Sequence, residues 1–179
     1  HSMSDAVNSD VILLWGANPA VTRSVDHVAL KRARRSGTKL ICIDPVASET
    51  SKLCDEWISL RPGSDGALAW SVIHEIVETN LIDEEFLHAH TDMPFLARSQ
   101  GGELLRESDF IVGGSDSPLV WCDYGGAPTT VSEAKQPVLN TAREIQLKDG
   151  TAVMVSSVFH LVQEIAADYT VEQTAKITD

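Results

Sequence analysis

The chain has 179 residues, 43% of them apolar and 22% charged, and a net charge of −12. That balance fits one soluble globular domain, or one domain with an appendage, long enough to bury a real core. An acidic surface repels phosphate backbones, which sets nucleic acid aside as a partner. No apolar run reaches the ~18 residues of a membrane helix or forms a signal-peptide core.

His1-Ser-Met3 reads as a vector remnant ahead of native sequence, and residues 1–9 as a tag or linker, so nothing here speaks to targeting. Residues 10–91 then alternate between strand-like and helix-like patterns and form the expected nucleotide-binding core. The apolar run Val11–Trp15 leads into the turn Gly16-Ala-Asn-Pro19, with Asn18 as N-cap and Pro19 in the first helical turn. Val21, Val25, Val28 and Ala29 recur at helical spacing up to Arg35, and Gly37 stops that helix. The basic cluster Lys31, Arg32, Arg34, Arg35 and Lys39 suits the negative pole of a helix end better than a phosphate patch.

A second strand is expected at Leu40–Ile43 and a short third one at Trp57–Leu60. Ser64 caps the next helix, with Asp65 in its first turn and Leu68, Ala69, Val72, Ile73, Ile76 and Val77 as its apolar stripe. Asp83 opens a further short helix. Continuous apolar strands separated by crossover helices predict a parallel sheet covered on both faces.

Residues 92–155 read as a long loop and hairpin appendage, with Gly101-Gly102 and Gly113-Gly114 in its aperiodic part. Strand-like Leu119–Tyr124 precedes the turn Gly125–Pro128, and Glu144–Leu147 and Ala152–Val155 flank the hairpin turn Lys148–Thr151. Residues 156–179 form C-terminal helices packing back on the core, one with Val158, Leu161, Val162, Ile165 and Ala166 inward, the last opened by the capping box Thr170–Gln173. The expected fold class is α/β: a Rossmann-like parallel sheet flanked by helices, with a small irregular β-hairpin-containing appendage.

Open α/β sheets bind nucleotides in the crevice beyond the carboxyl ends of their strands. The first such turn has one glycine, Gly16, so the three-glycine fingerprint of NAD or FAD binding is absent, although a turn of this kind still offers N–H groups to a phosphate. Asp44 ends the second strand, where a carboxylate can accept both hydrogen bonds of a ribose diol; it serves equally well as the turn former before Pro45. Asp65 can accept from the N1–H and amino group of a guanine, or can simply satisfy a helix start. Cys42, Cys54 and Cys122 lack metal or redox spacing, and Cys42 reads as a small hydrophobe within a strand. His88 and His90, two apart, make a poor metal pair, and Ser115, Asp116 and His160 lack a nucleophile elbow. The tryptophans read as core, except that Trp15 abuts the first turn.

Taken together, Trp15-Gly-Ala-Asn-Pro19, Ile43-Asp-Pro45 with Glu49-Thr50, and Arg61-Pro-Gly-Ser-Asp65 with Ala67-Leu68 closely resemble the molybdopterin oxidoreductase family, the dimethyl-sulfoxide-reductase-like superfamily. Phe95–Arg98, Leu104–Asp109 and Tyr169–Thr178 extend the resemblance in the same order. It implies a Rossmann-like domain holding one of two molybdopterin guanine dinucleotides, with molybdenum or tungsten in the parent enzyme. In that reading Trp15, Gly16, Ala17, Asn18, Pro19 and Thr22 contact the phosphate and pterin side. Asp44, Pro45 and Ser48 lie on the ribose and guanosine loop, and Pro62, Gly63, Ser64 and Asp65 hold guanine.

One departure is Val46, where the family often has arginine after Asp-Pro. No segment resembles the family's iron–sulfur or metal-ligating regions, so the resemblance implies a domain excised from a larger redox enzyme, empty of cofactor and without catalytic or metal-binding residues of its own. Its partners would be the remaining domains and an electron-transfer subunit, in the prokaryotic cytoplasm or periplasm, with no membrane contact by this segment. Two other readings are a self-sufficient nucleotide-binding module without redox chemistry and a hydrolase using Asp44 or Asp65 with a divalent metal.

Overall fold

The computed structural model describes residues 3–179; His1 and Ser2 of the expected vector remnant lie outside the described residues. The elements are β1 (Val11–Trp15), α1 (Pro19–Thr22), α2 (Ser24–Arg35), β2 (Lys39–Ile43), β3 (Glu56–Ile58), α3 (Asp65–Glu78), α4 (Glu84–His90), β4 (Leu96–Arg98), α5 (Glu107–Phe110), β5 (Leu119–Cys122), β6 (Ala127–Thr130), β7 (Ala142–Gln146), β8 (Ala152–Ser157), α6 (Val158–Ala166) and α7 (Val171–Thr178). Short 3-10 turns form at Met3–Asn8, where a tag or linker was expected, and at Ser51–Leu53. The chain divides into two compact units, one running to Leu68 and including Thr174–Asp179, the other Ala69–Gln173. This division falls inside α3, whereas the composition shift lies near Thr91.

The first unit holds a parallel sheet of order β1-β2-β3, with Val11 beside Lys39 and Ile41 beside Glu56. Parallel pairing requires a crossover after each strand. α1 and α2 make the first, and the irregular stretch 44–55 makes the second. Buried Leu14, Leu30 and Leu40 form the core beneath the sheet, with Ile12, Leu53 and Cys54 against them. Asp55 ties the second crossover down. Its carboxylate accepts from the Leu40 N–H at 2.9 Å and from Arg34 Nε at 2.9 Å, and these bonds hold its carboxyl below the usual range.

The first helix differs from expectation in two ways. It is broken at Arg23 (φ −147°, ψ 75°) into α1 and α2. Its valine stripe also faces solvent, with Val21, Val25 and Val28 at 68%, 79% and 49% exposure, while Leu30 and Ala33 are buried. At about 100° per residue, Val28 lies roughly 160° around the helix from Leu30, so both cannot face the core. The larger leucine, in line with Leu14 and Leu40, sets the buried face. Coverage on both sheet faces also fails at β1, whose Ile12 and Leu14 turn inward while Val11 and Leu13 remain exposed. On α3, Val72 and Ile76 of the expected stripe are exposed too.

The second unit carries an antiparallel sheet of order β4-β8-β7 and the two-stranded β5-β6. Leu96, Leu105, Leu119, Trp121, Ile145 and Val155 form its core, so the supposed aperiodic stretch contributes β4, α5 and two core leucines. The β5–β6 turn is Asp123–Gly126, since Ala127 and Pro128 already pair with Cys122 and Trp121. The hairpin at Lys148–Thr151 forms as expected between β7 and β8. Capping chemistry is also legible. Asp83 accepts from the Phe86 N–H at 2.9 Å, Ser157 accepts from the His160 N–H at 3.2 Å, and Thr170 and Gln173 exchange bonds at the start of α7. Ile165 of the expected α6 stripe is exposed; Phe159 and Ala166 are the buried positions.

Candidate functional site

All three strands of the first unit run parallel, so the segments that follow β1, β2 and β3 emerge from one edge of the sheet. After β1, Gly16 takes a left-handed conformation (φ 58°) and donates its N–H to the Ile43 carbonyl at 2.9 Å, locking the turn to the end of β2. A Cβ at Gly16 would meet nothing within 4 Å, so the turn presents open space to a ligand. Ala17 is half-buried, Pro19 is buried at the start of α1, and Thr22 donates to the Asn18 carbonyl at 3.0 Å.

Asn18 occupies the N-cap position, but its side chain makes no capping bond. Instead, Asn18 Oδ1 accepts from the Thr50 hydroxyl at 2.7 Å, and that hydroxyl accepts from the Ala20 N–H at 3.1 Å. A fully buried threonine thus joins the loop after β1 to the loop after β2. Beneath it, the Cys54 thiol donates to the Thr50 carbonyl at 3.3 Å. Burial, with Cys42 alongside, pushes the Cys54 thiol up to about 11 and also raises that of Cys42, so both are poor nucleophiles at neutral pH.

After β2, Asp44 accepts from the Val46 N–H at 2.8 Å, realising the turn-forming role, and its carbonyl accepts from Trp57 Nε1 at 2.8 Å. Exposed Pro45 follows. Ser48 is engaged locally, its carbonyl accepting from the Ser51 hydroxyl at 2.8 Å. After β3, the Arg61 N–H donates to the Thr178 carbonyl at 2.8 Å, and the Arg61 guanidinium bonds the Asp179 carbonyl. Exposed Pro62 and Gly63 (φ 87°) make the turn. Ser64, expected as a cap, directs its hydroxyl back to the Arg61 carbonyl at 2.6 Å. Asp65 then opens α3, exposed, and its Oδ1 accepts from Trp15 Nε1 at 2.7 Å. The end of β1 and the start of α3, 50 residues apart, meet at that bond.

The structure therefore bonds Trp15 to Asp65 and, separately, Asn18 and Ala20 to Thr50, a residue outside the expected contact set. Asp44 lies on the loop that Thr50 anchors. Thr50 stands in the Glu49-Thr50 motif of the resemblance but has no contact role there, because a lone threonine in a polar loop acquires one only from a partner 30 residues away.

Comparison with known proteins decides the lineage. Residues 1–172 match the molybdopterin oxidoreductase family. The chain belongs to that family. Among relatives of the molybdopterin oxidoreductase family, it is 35% identical to the perchlorate reductase alpha subunit of Dechloromonas aromatica, over 98% of this chain and 22% of that protein. It is 36% identical to the dimethylsulfide dehydrogenase alpha subunit of Rhodovulum sulfidophilum, over 98% of this chain and 20% of that one. The chain thus spans about a fifth of the length of these relatives. Acetylene hydratase from Pelobacter acetylenicus superposes with a TM-score of 0.51 at 19% identity, over 95% of this chain and 15% of that one, which establishes a shared fold.

Proposed function

We propose that this chain is the cofactor-holding domain of a larger molybdopterin oxidoreductase, and that its three strand-end loops hold the guanosine end of one molybdopterin guanine dinucleotide. The observation that carries the reading is the joining of those loops at one sheet edge, through Trp15–Asp65 and through Thr50 with Asn18 and Ala20. The residues fit the group. Open space at Gly16 admits a phosphate close to the backbone, and the exposed Asp65 carboxylate offers the acceptor pair that a guanine edge requires. Asp44 retains one carboxylate oxygen for a ribose hydroxyl beyond the oxygen used by Val46.

In this assignment Trp15, Gly16, Ala17, Asn18, Pro19 and Thr22 shape the phosphate side. Asp44, Pro45 and Ser48 shape the ribose loop, and Pro62, Gly63, Ser64 and Asp65 shape the guanine pocket. When bound, the metal cofactor supplies two-electron redox chemistry, molybdenum or tungsten being the metal; this chain's residues bind and orient it and transfer no proton themselves. The rest of the parent polypeptide is the natural partner. Exposed Val11, Leu13, Val21 and Val25 on the first unit are the apolar positions such a neighbour would cover.

Calorimetric titration of the chain with GMP, GDP and AMP tests the reading. The guanine nucleotides should bind more tightly than AMP, and D65N should erase the difference. Equal binding of all three, or none, overturns the guanine assignment.

A further inference from the structure

We infer that Trp15 is a positioning residue that sharpens the site's selectivity for guanine, because its indole N–H fixes the carboxylate of Asp65. The inference rests on the guanine reading above and adds a role to a side chain that contacts the acid rather than the base's hydrogen-bonding edge.

Asp65 is exposed at the start of α3, where a carboxylate bonded to water alone samples many orientations. Trp15 removes that freedom. Its Nε1 lies 2.7 Å from Asp65 Oδ1, and an indole N–H can only donate, so the bond exists only while an Asp65 oxygen is turned toward Trp15. The indole is itself held. Trp15 pairs with Ile43 in the sheet, the following Gly16 N–H is bonded to the Ile43 carbonyl at 2.9 Å, and the side chain is half-buried.

A carboxylate oxygen has two lone-pair sites, so Oδ1 can keep Trp15 and still accept one donor of a guanine edge while Oδ2 accepts the other. Guanine presents two neighbouring donors, N1–H and the exocyclic amine. Hypoxanthine presents only the first, and adenine replaces N1–H with an acceptor that repels the fixed carboxylate. A freely turning acid discriminates less, because it can rotate to meet whichever donor is present. Trp57 also donates from Nε1, but to the Asp44 backbone carbonyl at 2.8 Å, so it braces a loop and orients no carboxylate.

The test is calorimetric titration of the full chain and of W15F with GMP, IMP and AMP. Amide exchange at Gly16 monitors the turn, and a benzothienylalanine at position 15, which removes only the N–H, serves as the second variant if W15F fails to fold. The expected result is a loss of roughly tenfold in GMP affinity with little change for AMP, the scale of one charge-assisted hydrogen bond, at unchanged Gly16 exchange. An unchanged GMP-to-AMP ratio, or an equal loss for all three nucleotides, overturns the role of Trp15 while leaving the guanine reading in place. A parent chain without any guanine preference overturns that reading, and this inference falls with it.

Discussion

Replacing Thr50 by valine preserves the side chain's shape and removes its one oxygen. The residue is fully buried, and the hydroxyl both donates to Asn18 Oδ1 at 2.7 Å and accepts the Ala20 N–H at 3.1 Å. The valine leaves an acceptor and a donor without partners, each costing about 1–3 kcal/mol when buried. Asn18 and Ala20 are only half-buried, so water recovers part of that loss and the total comes to about 2 kcal/mol. Serine retains the oxygen and loses one methyl group, about 1 kcal/mol.

Amide hydrogen exchange at Ala20 reads the local opening directly. T50V should accelerate it about 30-fold and T50S about 5-fold, by the conversion of 1.4 kcal/mol per factor of ten. Equal protection in T50V and the parent chain would refute the claim that this hydroxyl holds the two loops together. So would T50S proving as damaging as T50V, since bulk rather than hydrogen bonding would then be at work.

Two further outcomes follow from the same unit. The Cys54 thiol is raised from the usual 9.0 to about 11, so the folded state favours its neutral form; that contribution is complete below about pH 9 and lost as pH rises through 11. Urea unfolding between pH 8 and 11 should therefore show declining stability, and C54S should flatten the decline. L30A should cost about 2–5 kcal/mol in urea unfolding, because Leu30 is fully buried, whereas V25A at 79% exposure should change stability by about 0.5 kcal/mol or less. Comparable losses for the two would restore the valine stripe as the inward face.

What sequence reasoning reached and what it missed separate along physical lines. β1 and β2 were legible because each is a short apolar run closed by a turn residue, and the hairpin at Lys148–Thr151 and the caps at Asp83 and Thr170 depend on residues only a few positions apart. The face of α2 was not legible. Val21, Val25 and Val28 satisfy helical spacing as well as Leu30 and Ala33 do, and periodicity cannot rank a valine ridge against a leucine that meets Leu14 and Leu40 only after folding. The candidate site divides in the same way. Asp44 and Asp65 were visible as acids at strand ends, but the bonds that turn separate loops into one site span 30 and 50 residues and leave no local pattern. Because those bonds reach back from both later loops to the segment Trp15–Ala20, damage to the first turn should disturb the whole edge. Damage confined to the exposed Pro62–Gly63 turn should spare the Thr50 anchor and with it the loop carrying Asp44.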